Sequence, residues 1–372
     1  MRIALVSPLP PYRGGISTFS HLLGLHLEAR HEVYGVSFRR LYPGLLFPGK
    51  SQITRGRRGP GLARVDMLLH PLLPASWDRA AARIRAFRPD VCLFAYWLPY
   101  LVPAYLRVLR AVSPLCRTAV LCHNVEEHES MAGLRWLKRR YLEGADRLVV
   151  LSDDGRRQLE GLGVSTPTEV LFHPLYDGYG EARPQGASKR LLGVPEEMPV
   201  ILFFGLVRPY KGLGQLLEAA RELLRRGARF HLRVAGEFYQ GYRQAAQQVT
   251  DWGLAEHVTL EDRFVPDGEV AAYFSAADVV VLPYLSATQS GVVQIAYQFE
   301  RPVVVTDVGG LPETVTEGET GFVVPTGDSG ALADILAGNL PDGFRALRSK
   351  VAEAKGRFSW DSFIDQLERI LA

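Results

Sequence analysis

Cysteine is scarce in this 372-residue chain: Cys92, Cys116 and Cys122 are odd in number and match no zinc-ligand spacing. Two of them sit inside apolar, strand-like runs. A disulfide framework is therefore not expected, and a reducing compartment fits best. Long hydrophobic runs are missing too. The longest, residues 91–106, is broken by Pro99 and Pro103, whereas a membrane-spanning helix needs about 20 apolar residues. The apolar stretch at the N-terminus reaches prolines by Pro8, too soon for the core of a secretion signal. A cytoplasmic protein is expected. No fixed period or biased tract runs through the chain, which excludes collagen-like, coiled-coil and low-complexity scaffolds. A complete Gly-x-Gly-x-x-Gly is absent, which disfavours ordinary NAD binding, and no Asp-x-Asp metal pair stands at a strand end.

What is present is globular composition: 47% hydrophobic and 22% charged residues, with 36 Gly and 24 Pro. At about 100–200 residues per domain, two domains are expected. The net charge of +3 conceals an asymmetry, because residues 1–150 hold 22 Arg and Lys against 10 Asp and Glu. The first part is a cation and the rest an anion. Nucleic acid, an anionic membrane face or an anionic substrate would each suit such a surface, as would plain solvation of clusters such as Arg55, Arg57 and Arg58. Nucleic acid is the weakest of these, since the arginines are scattered among apolar segments without a binding-fold signature.

Short aliphatic runs alternate with amphipathic stretches in two successive series. The first places strands at 3–7, 32–37, 91–95, 119–122, 148–151 and 170–172; the second at 200–204, 231–235, 258–260, 279–282 and 303–306. Continuous rather than alternating hydrophobicity marks buried parallel strands. The fold class expected is α/β, with two doubly wound, Rossmann-like domains facing a cleft. Residues 1–176 form the first domain, and 177–198, rich in Gly, Pro and charge, form a linker. Residues 199–358 form the second domain. Residues 359–372 make a last helix with Trp360, Phe363, Ile364, Leu367 and Ile370 on one stripe, suited to packing back on the first domain.

Four loops carry candidate chemistry. Pro10-Pro11-Tyr12-Arg13-Gly14-Gly15 joins a strand to a helix, where glycines admit a ligand to the backbone and a helix start offers N–H groups to phosphate. A plain tight turn would read the same way. The second series opens with Phe203-Phe204-Gly205, followed by Arg208 and Lys211, two cations able to hold a diphosphate at a strand end. A third loop runs Gln289-Ser290-Gly291-Val292-Val293: Ser290 is a candidate N-cap, and the N–H groups after it would face an anion. A Gly309-Gly310 pair ends the series. The acidic run Glu126, Glu127, His128 and Glu129 reads as a solvated loop or as acid/base chemistry, and His173 as hinge or site. The aromatic stretch 94–100 reads as core, or as a stacking surface for sugars or lipid.

From residue 1 to about residue 325 these segments, in this order, resemble the retaining nucleotide-sugar glycosyltransferases of family 4, which have the GT-B fold. The resemblance implies that Gly14 and Gly15 form the family's glycine loop and that Arg208 and Lys211 bind the donor diphosphate. It also implies that His123, in Leu121-Cys122-His123-Asn124, lies near the donor sugar and the reaction centre. Family members usually carry two glutamates around the glycine of the third loop; here Thr288 and Ala296, or Ala287 and Ile295, stand in their place. The chain resembles a subgroup lacking that pair, in which Gln289 or Gln294 would take over sugar and ribose recognition. The resemblance further implies retention of configuration, protein cations in place of a metal, and no cofactor beyond the nucleotide-diphosphate sugar. The expected partners are that nucleotide sugar and a glycan or lipid-linked acceptor, with peripheral contact to anionic membrane at the inner face. A role in cell-envelope polysaccharide synthesis would follow. The rival readings are a nucleotide-sugar 2-epimerase of the same architecture and a non-catalytic GT-B binding module.

Overall fold

A computed structural model describes residues 1–41, 52–53, 61–125 and 135–372. The Arg55, Arg57 and Arg58 cluster and the run from Glu126 to Glu129 lie outside the described residues. The chain divides into two compact units, residues 1–174 with 360–372, and residues 175–359.

The first unit runs β1 (Arg2–Val6), α1 (Gly15–Glu28), β2 (Glu32–Phe38), β3 (Val65–Leu69), α2 (Pro74–Phe87), β4 (Val91–Tyr96), α3 (Val102–Val112), β5 (Arg117–Cys122), α4 (Arg135–Leu142), β6 (Arg147–Val150), α5 (Asp153–Gly161) and β7 (Thr168–Val170). Its sheet is parallel, in the order β3-β2-β1-β4-β5-β6-β7. Every residue of β4 is buried, as expected of a strand covered by helices on both faces. Phe94 and Tyr96 are thereby core residues and offer no stacking surface.

The second unit begins with α6 (Gln185–Leu191) and continues β8 (Val200–Phe204), α7 (Leu213–Arg225), β9 (His231–Ala235), α8 (Tyr242–Asp251), β10 (Val258–Glu261), α9 (Asp267–Ala276), β11 (Val279–Leu282), α10 (Gly291–Gln298), β12 (Val303–Thr306), β13 (Gly321–Val324), α11 (Ser329–Asn339) and α12 (Asp342–Ala354). Its parallel sheet has the order β10-β9-β8-β11-β12-β13. Helix α7 shows how sequence makes this layer: Leu213, Leu216, Leu217, Ala220 and Leu223 recur on one face and are all buried.

Both sheets reverse strand order beside their first strand, between β1 and β4 and between β8 and β11. Doubly wound sheets bind ligands outside the carboxyl ends of the strands at such a point, because the connecting loops there diverge to opposite faces.

Residues 177–198, expected as a linker, instead carry α6 and belong to the second unit. The physical reason is a buried ion pair. The Lys189 ammonium lies 3.0 Å from the Asp278 carboxylate, which also accepts from the Val200 N–H, Gln185 Nε2 and Arg348 Nη2. A carboxylate with so many donors fixes the segment to α9 and to the start of β8. The last helix, α13 (Trp360–Leu371), belongs to the first unit. It packs on α1: Phe19 meets Trp360 and Phe363 at centroid distances of 5.5 and 6.1 Å, and Arg30 pairs with Asp365. Burying each such aromatic contributes roughly 1.5–3 kcal/mol.

Candidate functional site

In the second unit the loops after β8 and β11 cross at the switch point. The Leu285 N–H donates to the Tyr210 carbonyl at 2.7 Å, and Gly212 holds a left-handed φ of 69° where a Cβ would sit 1.8 Å from the Pro283 carbonyl oxygen. Only glycine fits there. Gly205 has φ 102°, and a Cβ on it would lie 3.5 Å from Lys211 Nζ and 3.8 Å from Val292 Cγ2. The bare glycine thus leaves space between a lysine and the first turn of α10.

Lys211 is buried, with its ammonium 5.0 Å from the centre of the Tyr284 ring. Burial works against its charge, and the phenols of Tyr284 and Tyr210 more than offset that, leaving its pKa above the usual lysine value. Among the described residues no carboxylate pairs with it. Arg208, half-buried, stacks its guanidinium 4.7 Å from the Tyr239 ring centre and is close enough for its charge to bear on Lys211. A buried ammonium without a counter-ion is costly, so the arrangement suits an anion that arrives with the ligand.

Ser290 caps α10 as expected: its hydroxyl accepts from the Val292 N–H at 3.3 Å and lies 3.2 Å from the Tyr284 hydroxyl. The Val293 N–H is engaged by the Ser290 carbonyl at 3.2 Å. Of the backbone donors expected here, Val292 and Val293 are therefore already engaged, and the Gly291 N–H has no acceptor among the described residues. Gly291 is itself required, since a Cβ would lie 2.7 Å from Tyr176 Cε2. Gln289 is half-buried beside it. Gln294, one turn on, is fully buried with both carboxamide atoms lacking a hydrogen-bond partner. The Gly309-Gly310 loop is tied to this one through the Gly310 N–H and the Thr288 carbonyl, 2.9 Å apart.

In the first unit, Gly14 stands at φ 109° before α1, with no atom within 4 Å of where its Cβ would be. Gly15 opens the helix and is exposed. Ser17, in the first turn, is buried with its hydroxyl unpartnered. His123 follows β5, its N–H donating to the Tyr96 carbonyl at 2.8 Å and its ring edge-on to Phe19 at 4.7 Å. Burial, with a smaller contribution from His173, lowers its pKa to about 3, so the ring is neutral near pH 7. Its Nε2 is buried without a partner. His173 also packs on Phe19, and its Nδ1 lies 2.9 Å from the Pro174 carbonyl. Sequence reasoning overlooked Tyr284 and Ser17; a tyrosine just beyond a buried strand end, followed by a capping serine, was the available signal for the first.

No described helix is long and apolar enough to cross a membrane. Two parallel, doubly wound sheets with glycine-lined strand ends are the architecture that GT-B proteins have. Residues 13–174 match the profile described as Glycosyltransferase Family 4, and residues 198–342 match that of Glycosyl transferases group 1. The chain is 33% identical over 351 residues to D-inositol 3-phosphate glycosyltransferase of Corynebacterium efficiens, covering 84% of this chain and 80% of the relative. The enzyme of that name from Actinosynnema mirum is 32% identical over 314 residues, or 78% and 73% of the two chains. Among solved structures, Anabaena HepE in complex with UDP superposes with a TM-score of 0.76 at 18% identity, covering 99% of both chains. Sucrose-phosphate synthase from Thermosynechococcus elongatus gives 0.72 at 20% identity, covering 99% and 98%. The chain belongs to the family 4 glycosyltransferases. It is a sugar-transferring enzyme of GT-B fold.

Proposed function

We propose that this glycosyltransferase takes its sugar from a nucleotide diphosphate held at the β8/β11 switch point and delivers it, with retention, to a glycan or lipid-linked acceptor. The observation that carries the donor reading is the buried Lys211 ammonium, without a carboxylate partner among the described residues, with Arg208 close by and the start of α10 across the bare Gly205. The diphosphate supplies the missing negative charge.

As the bond from the anomeric carbon to the phosphate oxygen breaks, its electron pair goes to the phosphate, where Lys211 and Arg208 stabilise the growing charge. Removing one such donor typically costs about 2.7–4 kcal/mol of barrier. The acceptor oxygen bonds to the same face of the anomeric carbon, and its proton passes to the departing phosphate. His123 acts as a neutral hydrogen-bonding group toward the sugar and not as an acid, because its pKa of about 3 leaves it uncharged. Gln289 and Gln294 take the recognition roles of the absent glutamates, the unpartnered Gln294 carboxamide being the stronger candidate. The donor is the only non-protein group required, with Lys211 and Arg208 doing the work of a metal. UDP is the first nucleotide to test, since HepE holds it.

The test is turnover of a panel of UDP- and GDP-sugars by wild type and Lys211→Met, with the anomeric configuration of the product read by NMR. Release of nucleoside diphosphate by wild type, an α-linked product from an α-linked donor, and a loss of about 100-fold or more in the variant support the reading. Equal turnover by the two proteins refutes the role of Lys211, and an inverted product refutes retention.

A further inference from the structure

At the carboxyl ends of β2 and β3 lies a cavity of about 590 Å³ whose lining includes Arg39, Arg40, His70, Leu73, Ser76 and Arg79. Its charge is one-sided. Among the described residues no carboxylate lines it, and none pairs with Arg39, Arg40 or Arg79. Other arginines of the same unit do find carboxylates, among them Arg83 with Asp66, Arg107 with Asp78, Arg139 with Glu143 and Arg157 with Asp154. Three guanidinium groups thus line one hollow in which no described residue supplies a negative charge.

The remaining walls add donors of the same sign. His70 Nδ1 accepts from the Leu72 N–H at 3.1 Å, which puts the ring proton on Nε2. Helix α2 starts here with Leu73 as its N-cap, no side-chain cap and no acidic residue in the first turn. Its positive end is therefore uncompensated. Apolar residues stand beside these: Leu73, Met67 and Leu68 line the cavity, and Leu73 and the neighbouring Leu72 are 55% and 65% exposed. Guanidinium forks suit phosphate oxygens, and exposed leucines suit an apolar chain.

We propose that this cavity binds the phosphate group of the acceptor, with the acceptor's apolar portion lying along Leu72 and Leu73. The word acceptor rests on the transfer reaction above, whereas phosphate binding by the cavity stands without it. The cavity opens on the same edge of the sheet as the Gly14 loop, two strands from the switch point.

The experiment compares full-length wild type, the double variant Arg39→Ala/Arg79→Ala, and a charge-matched control, Arg139→Ala/Arg157→Ala, all with saturating UDP to occupy the donor site. All four side chains are on the surface, so folding is unaffected. Binding is measured to phosphatidylcholine vesicles with and without phosphatidic acid, and to glycerol 3-phosphate in solution. The expected result is binding by wild type and control, weakened by about tenfold or more in the cavity variant. A loss in the vesicle arm identifies a lipid phosphate; a loss confined to glycerol 3-phosphate identifies a soluble one. Equal binding by both double variants in both arms, or no binding by wild type in either, overturns the proposal. UDP affinity measured in the same samples separates the two readings: absent UDP binding with intact, variant-sensitive phosphate binding refutes the donor site alone.

Discussion

The two units share a strand order and differ in what they place at its switch point. The second presents a buried cation, Lys211, framed by Tyr284, Arg208 and the start of α10. The first presents neutral, buried polar atoms, His123 Nε2 and Ser17 Oγ, in an aromatic setting around Phe19, and gathers Arg39, Arg40 and Arg79 at a cavity two strands away. One architecture thus supports two chemistries, because the sheet fixes where loops meet and the loop residues decide what they hold. A group that must stabilise a leaving diphosphate needs charge; a group that must touch a sugar without titrating needs a buried, neutral ring.

Five changes break or sharpen this contrast. The largest effect is expected from Lys189→Met, which takes away one of the two cations, with Arg348, that pair with the buried Asp278 carboxylate: a loss of about 3–5 kcal/mol in denaturant unfolding. Next, Gly212→Ala drives a Cβ onto the Pro283 carbonyl and should cost about 3 kcal/mol or more and abolish nucleotide binding. Gly14→Ala, at a similar positive φ but in open space, should cost only about 1–2 kcal/mol. Lys211→Met removes a buried unpaired ion, so the melting temperature without ligand should hold or rise while stabilisation by UDP disappears.

The effect that is smallest at neutral pH, and grows only in acid, concerns the histidines. His123 and His173 titrate near 3 and 4 in the fold, against about 6.5 unfolded, with burial as the main cause. Below pH 6.5 the unfolded chain takes up protons that the folded one refuses. Their stabilisation is therefore complete above pH 6.5 and is lost as pH falls toward 3, at about 1.4 kcal/mol per pH unit for each histidine. His123→Gln should flatten that slope by one proton. In wild type, kcat/KM should show no limb assignable to His123 between pH 5 and 8.

Most strands were legible because buried parallel strands are apolar along their length, as in β4, β11 and β12. The edge strands β3 and β13 were not: β3 is only half-buried and carries Asp66, and β13 starts at Gly321. Neither shows the continuous run that marks its neighbours. Residues 177–185 gave the composition of a linker, and the Lys189–Asp278 pair that binds this region to the second unit joins residues 89 apart in sequence. Gly205, Lys211, Ser290 and Gly291 were legible as strand-to-helix loops. The burial of Lys211 was not, because a lysine in a polar loop ordinarily reaches solvent. The phosphate cavity was equally hidden, since Arg39 and Arg79 meet only through the pairing of β2 with β3 and the entry into α2.

The most direct measurement is calorimetric titration of UDP into wild type and Lys211→Met at equal ionic strength. The account predicts that the variant binds about 100-fold more weakly while unfolding no more readily than wild type in the absence of nucleotide. Affinities within a factor of about two of each other would contradict it.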